Sequence, residues 1–349
     1  MEKATIKDIA RITGLSQGTV DRVLHNRGEV SKKSYQKVMD AVKELGYQPN
    51  LYASLLAKSQ ARTIALLLPS PEPGSYWELA ASGMMRARTE LQALSVSTTL
   101  FTYNQYSEEA FHAACARVLE SSPAGVLLAP LFKNETLAFA RQLQEAGIPY
   151  AYIDTKPDDD SSYLVYYGIP AYKSGYFCAD MLTAGEKVSE VLVVRIRRDK
   201  EQQSDPTVYR RAGFMEYIQE HFPKTTVRQL FIDPQDPVAT DDALNSFFTE
   251  FPKVHHIVMF NSRIHLLVPY LERNPIRGLR VIGFDSLAAN IAALKRGTVT
   301  MLIAQRPDQQ VQRALTDLAN AIVLQRQPER QDNYMHMLLL TRFNVDPDD

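Results

Sequence analysis

The chain has two cysteines in 349 residues, Cys115 and Cys178. That is too few for a disulfide framework, and no Cys/His spacing suits a metal ion. Both sit in segments of helical pattern, where buried free thiols are expected. No stretch approaches ~18 uninterrupted apolar residues, which argues against a membrane-spanning helix. Residues 1–7 hold no apolar signal core, so a cytoplasmic location is expected. There is no nucleophile elbow and no glycine-rich phosphate loop. The adjacent His255 and His256 fall on a strand pattern, whose alternation sends them to opposite faces. The strongest catalytic case is an acid–base pair made of Asp154 and Asp285. Catalysis is not the expected activity, and no cofactor is expected. The end of the chain, residues 343–349, lacks heptads, so no tetramerising coiled coil is expected.

Charge is nearly balanced overall, at −1, but unevenly placed. Residues 1–60 carry ten Lys/Arg against six Asp/Glu, and the rest carry 29 against 34. A basic head on an acidic body fits one nucleic-acid-facing end. The length suggests about two or three domains.

The head reads as three short helices. Thr5 is an N-cap for a helix over residues 6–12, and Asp8 completes a capping-box pair. Ile6, Ile9, Ala10 and Ile12 supply its apolar side. Gly14 ends that helix in a tight turn. Ser16 caps the second helix, where Val20, Val23 and Leu24 make one apolar stripe. Its opposite face carries Gln17, Gly18, Asp21 and Arg22. Ser31 caps a third helix running to Leu45, with Tyr35, Val38, Met39, Val42 and Leu45 as its stripe. Two short helices around a tight turn, the second polar on its free face, form a helix-turn-helix. Such a second helix enters the major groove with its N-terminal residues at base edges. Gln17 suits adenine and Arg22 suits guanine. Thr5, Ser16, Thr19, Asn26 and Ser31 are candidate phosphate donors.

The stretch 4–50 resembles the DNA-binding domain of the lac repressor (LacI/GalR) family. The matching pieces are Thr5-Ile6-x-Asp8-Ile9-Ala10, Gly14-Leu15-Ser16, Thr19-Val20-x-Arg22-Val23-Leu24, Val30-Ser31 and Glu44-Leu45-Gly46-Tyr47-x-Pro49-Asn50. Asp21 departs from the family, which usually has Ser there. A carboxylate at that place repels phosphate unless it pairs with Arg22 or Arg27, or accepts from a cytosine amino group. Asn50 caps a segment of about two turns, residues 51–57, and helices this short are marginal in water. The resemblance implies that two such hinge helices of a dimer pair at the operator centre. By position Leu56 looks like the minor-groove wedge, with Ala53 and Leu55 near the helix–helix contact. The residues alone equally allow a linker helix packed on the body.

From Arg62 onward short apolar strands alternate with helices, which implies parallel sheets covered on both faces. One set of strands falls near residues 64–69, 96–101, 125–130 and 149–154. A second set falls near 164–167, 191–195, 229–232, 256–260 and 280–284, with later strands near 300–305 and 336–343. Two such lobes resemble the periplasmic-binding-protein fold of the same family, of its ribose-binding branch. The expected domains are a helix-turn-helix head (1–48), a hinge (49–61) and a two-lobed body (62–349). The first lobe takes about 62–160 and 305–333, the second about 161–304 and 334–349.

In that fold the ligand lies between the lobes, at the carboxyl ends of the strands. Ser70, Tyr76 and Trp77 follow the first strand, and the chain's single tryptophan could stack on a sugar ring. The alternative is that Tyr76 and Trp77 cap the first helix and pack on the lobe. Arg210-x-x-Gly213-Phe214 matches the family's Arg-x-x-Gly-aromatic helix start, where the fork suits a diol. Asn261, Asp285 and Gln305 each follow a strand. Two departures stand out: Pro170-Ala171 replaces an Asp-Asn pair, and Ser262 replaces an Asp, so a modified or less polar sugar, or another ligand class, stays open.

The reading is a dimeric transcription regulator, by resemblance a repressor. It binds pseudo-palindromic operator DNA under control of a small effector, expected to be a sugar. A sugar-binding protein without a transcriptional role, an activator and a corepressor-dependent regulator remain alternatives.

Overall fold

The computed structural model describes residues 5–24, 30–45, 62–184, 186–196 and 206–345. Asn26 and the hinge residues Asn50, Ala53, Leu55 and Leu56 lie outside them. The chain divides into two units, Met1–Ser59 and Gln60–Asp349.

In the first unit, α1 (Ile6–Thr13), α2 (Gln17–Leu24) and α3 (Lys32–Glu44) share one small core. Ile9, Val20, Val23, Val38 and Ala41 are buried in it, with Leu15, Leu24, Val42 and Leu45 packed around them. Each helix start follows from its cap. The Asp8 carboxylate accepts from the Thr5 N–H (3.0 Å) and from its hydroxyl (2.7 Å). These bonds and Arg11 hold the Asp8 carboxyl below its ordinary range. Ser16 Oγ accepts from Thr19 N, and Ser31 Oγ from Ser34 N. Gly14, at φ 69°, makes the left-handed turn that a Cβ disfavours. The stripe expected on α3 is shifted. Tyr35 and Met39 are exposed, while Ala41 is buried. Helical spacing centred on Val38 brings Ala41, Val42 and Leu45 inward and turns Met39 about 100° away.

The second unit holds two six-stranded sheets. The first contains β1 (Arg62–Pro69), β2 (Val96–Tyr103), β3 (Gly125–Leu128), β4 (Tyr150–Asp154), β5 (Val165–Gly168) and β11 (Asp332–Tyr334). Its order is β11-β5-β4-β3-β1-β2, all parallel. The second contains β6 (Glu190–Ile196), β7 (Thr226–Ile232), β8 (His256–Val258), β9 (Arg280–Phe284), β10 (Met301–Ala304) and β12 (Leu338–Leu340). It repeats that order as β12-β10-β9-β8-β6-β7, with only β12 antiparallel. Central strands such as Ile64–Leu68 are wholly apolar because helices cover both faces.

The first sheet is flanked by α4 (Tyr76–Ala93), α5 (Glu108–Glu120), α6 (Lys133–Glu145) and α12 (Pro307–Leu324). Helices α7 (Ala171–Thr183), α8 (Pro206–His221), α9 (Pro237–Glu250), α10 (Val268–Arg273) and α11 (Ala288–Arg296) belong with the second. Two expectations are corrected. The strand near 164–167 pairs with β4 in the first sheet, so the chain crosses between Gly168 and Ala171 rather than near 161. The strand expected near 336–343 is present as β12 on the second sheet, but a further strand before it, β11, was not expected and closes the first sheet. A three-residue strand on each edge carries too little alternation to be read alone. Cys115 and Cys178 are both buried.

Candidate functional site

A cleft of about 240 Å³ opens between the lobes at the carboxyl ends of the strands. Tyr76, Trp77, Arg210, Asn261, Asp285 and Gln305 all line it. Ser70 is not part of the wall: its hydroxyl donates to the carbonyl of Tyr103, at the edge pair of β1 and β2. The wall also includes Asp154 and His265, which were not among the expected ligand-binding residues. Asp154 closes β4 as Asp285 follows β9, so the same criterion would have found it. His265 sits in a 3-10 turn (Ile264–Leu267) that no strand-end rule marks.

Two aspartates face the cleft from opposite lobes on unusual backbone. Asp154 has φ 67° and Asp285 φ 69°. Left-handed backbone away from glycine is uncommon, though Asp is among the residues that adopt it more readily. A buried amide backs each turn. Gln310 Oε1 accepts from Asp154 N (2.9 Å), and its amide donates to Gln305 O (3.0 Å). Asn290 Nδ2 donates to the carbonyls of Phe284 and Asp285, both at 3.1 Å. Strain held this way collects at functional sites.

Arg210 is buried near the start of α8. One arm of its fork donates to Phe260 O and the other to Gln305 Oε1, both at 2.8 Å. Its plane lies over Phe284, with Cζ 4.4 Å from the ring centre. Each arm of the fork thus has one protein acceptor. Its Nε–H and Asp285 Oδ1 are buried without a hydrogen-bond partner among the described residues. Gln305 joins the two groups, because its amide donates to Asp285 Oδ2 at 3.2 Å. Burial pushes the Asp285 carboxyl up to about 7, and Asp154 adds to this, while Arg210 and Gln305 oppose it.

Across the cleft, Ser75 caps α4 and sets Tyr76 and Trp77 at its start. Their rings meet edge to face at 4.9 Å. Both are almost buried, so they pack on the lobe as well as lining the cleft. Tyr76 Oη donates to Asp154 Oδ1 at 2.6 Å. Burial and this carboxylate raise the phenol well above its ordinary range. At the mouth, Arg263 of the second lobe donates to Tyr106 Oη of the first at 3.1 Å. Asn261 Oδ1 accepts from Arg263 N and so shapes that loop.

On the first unit, the free face of α2 presents Gln17, Gly18 and Arg22 to solvent, with Thr19 and Asp21 half-buried. Arg22 Nε donates to Gly18 O at 3.2 Å, which lays the guanidinium along the helix toward its N-terminus. The candidate phosphate donors are engaged locally. The Thr5 proton goes to Asp8, Ser31 donates to Ser34 Oγ, and Ser16 and Thr19 share one hydrogen bond.

No helix among the described residues is long and apolar enough to cross a membrane. Residues 5–50 match the lacI family of bacterial regulatory proteins, and residues 64–325 match a periplasmic binding protein domain. A solved structure assigned as a LacI transcriptional regulator from Bacteroides fragilis superposes with a TM-score of 0.78. It is 32% identical and covers 83% of this chain and 100% of that one. The HTH-type transcriptional regulator GntR of Pseudomonas aeruginosa is 30% identical over 224 residues, 62% of this chain and 59% of that regulator. The HTH-type transcriptional regulator DegA of Bacillus subtilis is 42% identical over 85 residues, 24% of this chain and 25% of its own length. This chain therefore spans 59% and 25% of those two relatives. A head of three capped helices, two lobes with one repeated strand order and these matches lead to one conclusion: the chain belongs to the lacI family of bacterial regulatory proteins.

Proposed function

We propose that the protein is a transcription regulator that binds operator DNA through α2 and is controlled by a small polyol, a sugar, held in the cleft. One observation carries the proposal. A helix-turn-helix with an exposed polar second helix shares its chain with a cleft that holds two buried, unpartnered polar atoms, Arg210 Nε and Asp285 Oδ1. Buried polar groups are nearly always hydrogen-bonded, so such atoms in a cleft wall point to a ligand that completes them. At about 240 Å³ the cleft is smaller than the roughly 300–1,000 Å³ of drug-sized sites. It suits a monosaccharide, with Tyr76, Trp77, Arg210, Asn261, Asp285 and Gln305 in contact and Asp154 added to the set.

On DNA, Gln17 and Arg22 read bases. Backbone N–H groups at the starts of α2 and α3 contact phosphate, because the hydroxyls of Thr5, Ser16 and Ser31 serve the helix caps. A two-fold homodimer reads a pseudo-palindrome in the cytoplasm, and effector binding releases a repressor. Control requires that the effector prefer one arrangement of the lobes. Arg22→Ala is expected to weaken specific binding by about 1–3 kcal/mol and to relax one base position. Anisotropy titrations against a selected site and its single-base variants check this. Unchanged base preference would contradict the assignment of α2 as the reading helix.

A further inference from the structure

His265 also lines the cleft, and its hydrogen-bond polarity is set from behind. Behind it lies Asn290, fully buried on α11. Asn290 Oδ1 accepts from His265 N at 3.2 Å. Asn290 Nδ2 faces three carbonyls, those of Ser262 (2.9 Å), Phe284 and Asp285 (3.1 Å each). A backbone N–H can only donate and a carbonyl can only accept, so the amide has one workable orientation. The same Oδ1 meets His265 Nδ1 at 2.9 Å, and that nitrogen must therefore carry the proton. In the neutral ring Nε2 is then a bare lone pair.

The surroundings keep the ring neutral. Burial and the Arg263 cation on the same segment lower its proton affinity, against the hydrogen bond to Asn290. The other charged or titratable groups lining the cleft are Asp285 after β9, Arg210 on α8, and Asp154 with Tyr76 on the facing lobe. Asn290 thus fixes two things at once: the left-handed turn that aims Asp285, and the acceptor polarity of His265.

We infer that His265 is a specificity-determining residue of the cleft, whose Nε2 accepts a hydrogen bond from a hydroxyl of the bound polyol, with Asn290 as the positioning residue behind it. The inference rests on the proposed effector role of the cleft. An acceptor-only nitrogen repels a carboxylate or phosphate oxygen at that place. It selects for the hydroxyl itself, because an analogue lacking the donor leaves the lone pair unpaired.

The test has two parts, both on the full chain. Ring 15N shifts of His265, assigned by comparison with His265→Gln, report the tautomer. A protonated Nδ1 at pH 7.5 is expected, and a protonated Nε2 overturns the inference. Trp77, the only tryptophan, lines the cleft and reports binding by fluorescence. D-glucose, D-galactose, D-ribose and D-gluconate are titrated first, then each monodeoxy analogue of the sugar that binds. For one analogue, the deoxy change is expected to weaken binding at least tenfold in the wild type and less than threefold in His265→Leu. His265→Gln, which keeps an acceptor, should restore part of the difference. If every deoxy change acts equally in wild type and His265→Leu, while Asp285→Ala abolishes binding, this inference fails and the effector reading stands. If none of the four sugars binds the wild type, both fail.

Discussion

Asp285→Asn is expected to make the protein more stable at pH 8 and blind to its effector. The carboxyl is almost wholly buried, and burial moves its titration from 3.8 to about 7. Between those values the folded chain holds a proton that the unfolded chain has released. Stability therefore falls as pH rises through this window and is lowest above 7. A shift of this size corresponds to roughly 4 kcal/mol. An amide carries no such charge. Its oxygen can still accept from Gln305, and its NH₂ takes the place of the unpartnered Oδ1. Chemical denaturation of both chains from pH 4.5 to 8 checks the prediction. The variant should gain steadily with pH, and the two should converge at the acid end. A constant offset would mean that Asp285 is ionised throughout and paired more strongly than the Arg210–Gln305 chain suggests. Under the proposed effector role, response is lost at this position because an amide leaves one acceptor where the carboxylate offers two.

Gly175→Ala is expected to have the largest damaging effect of any single methyl group in the second lobe. Helices α7 and α8 touch backbone to backbone there. A Cβ on Gly175 would collide with the carbonyl of Arg210, and one on Gly213 with the carbonyl of Tyr172. Neither collision can be relieved by turning a side chain, because both partners are main chain. Overpacking costs about 1–3 kcal/mol and occasionally more, and this contact belongs at the upper end. At roughly 2–4 °C per kcal/mol for a domain of this size, Tm should fall by about 6–12 °C. The site should suffer with the fold, since the carbonyl that must retreat belongs to Arg210, the residue whose fork bridges Phe260 and Gln305. Gly18→Ala is the matched control. There the nearest atom, Ser16 Oγ, would lie 4.0 Å from the new Cβ, so thermal stability should not fall. A Tm for Gly175→Ala within 2 °C of wild type would contradict the close packing of α7 on α8.

Much of this was legible in the residues. The caps Thr5, Ser16 and Ser31, the turn at Gly14 and the apolar strands announce themselves locally, because one side chain or one short run decides each. Of the seven expected cleft residues, all but Ser70 line the wall; Arg210 came from the family resemblance, and the others from one physical rule, that groups after strands face the cleft of a parallel sheet. The rule missed where position depends on long-range pairing. Strand β5 looks like the start of a second alternating set, but its partner is β4, and only the pairing says so. Ser70 obeys the rule and still lies outside the wall, since its hydroxyl turns to the neighbouring edge strand. Arg210 lines the wall as expected, but its protein partners carry no local signal, because Phe260 and Gln305 reach it from 50 and 95 residues away. His265 and Asn290 gave no local signal. Their chemistry exists only once two segments 25 residues apart are folded together.

In the proposed function one chain joins a DNA reader to a cleft that governs it. Selection from a random duplex pool by the full chain, repeated with each of the four sugars and with the Arg22→Ala variant, tests it directly. One pseudo-palindromic site should be enriched, with enrichment reduced by a bound sugar in the wild type but not in Asp285→Asn, and relaxed at one base in Arg22→Ala. Enrichment of no sequence, or of one that Arg22→Ala leaves unchanged and no sugar alters, would contradict it.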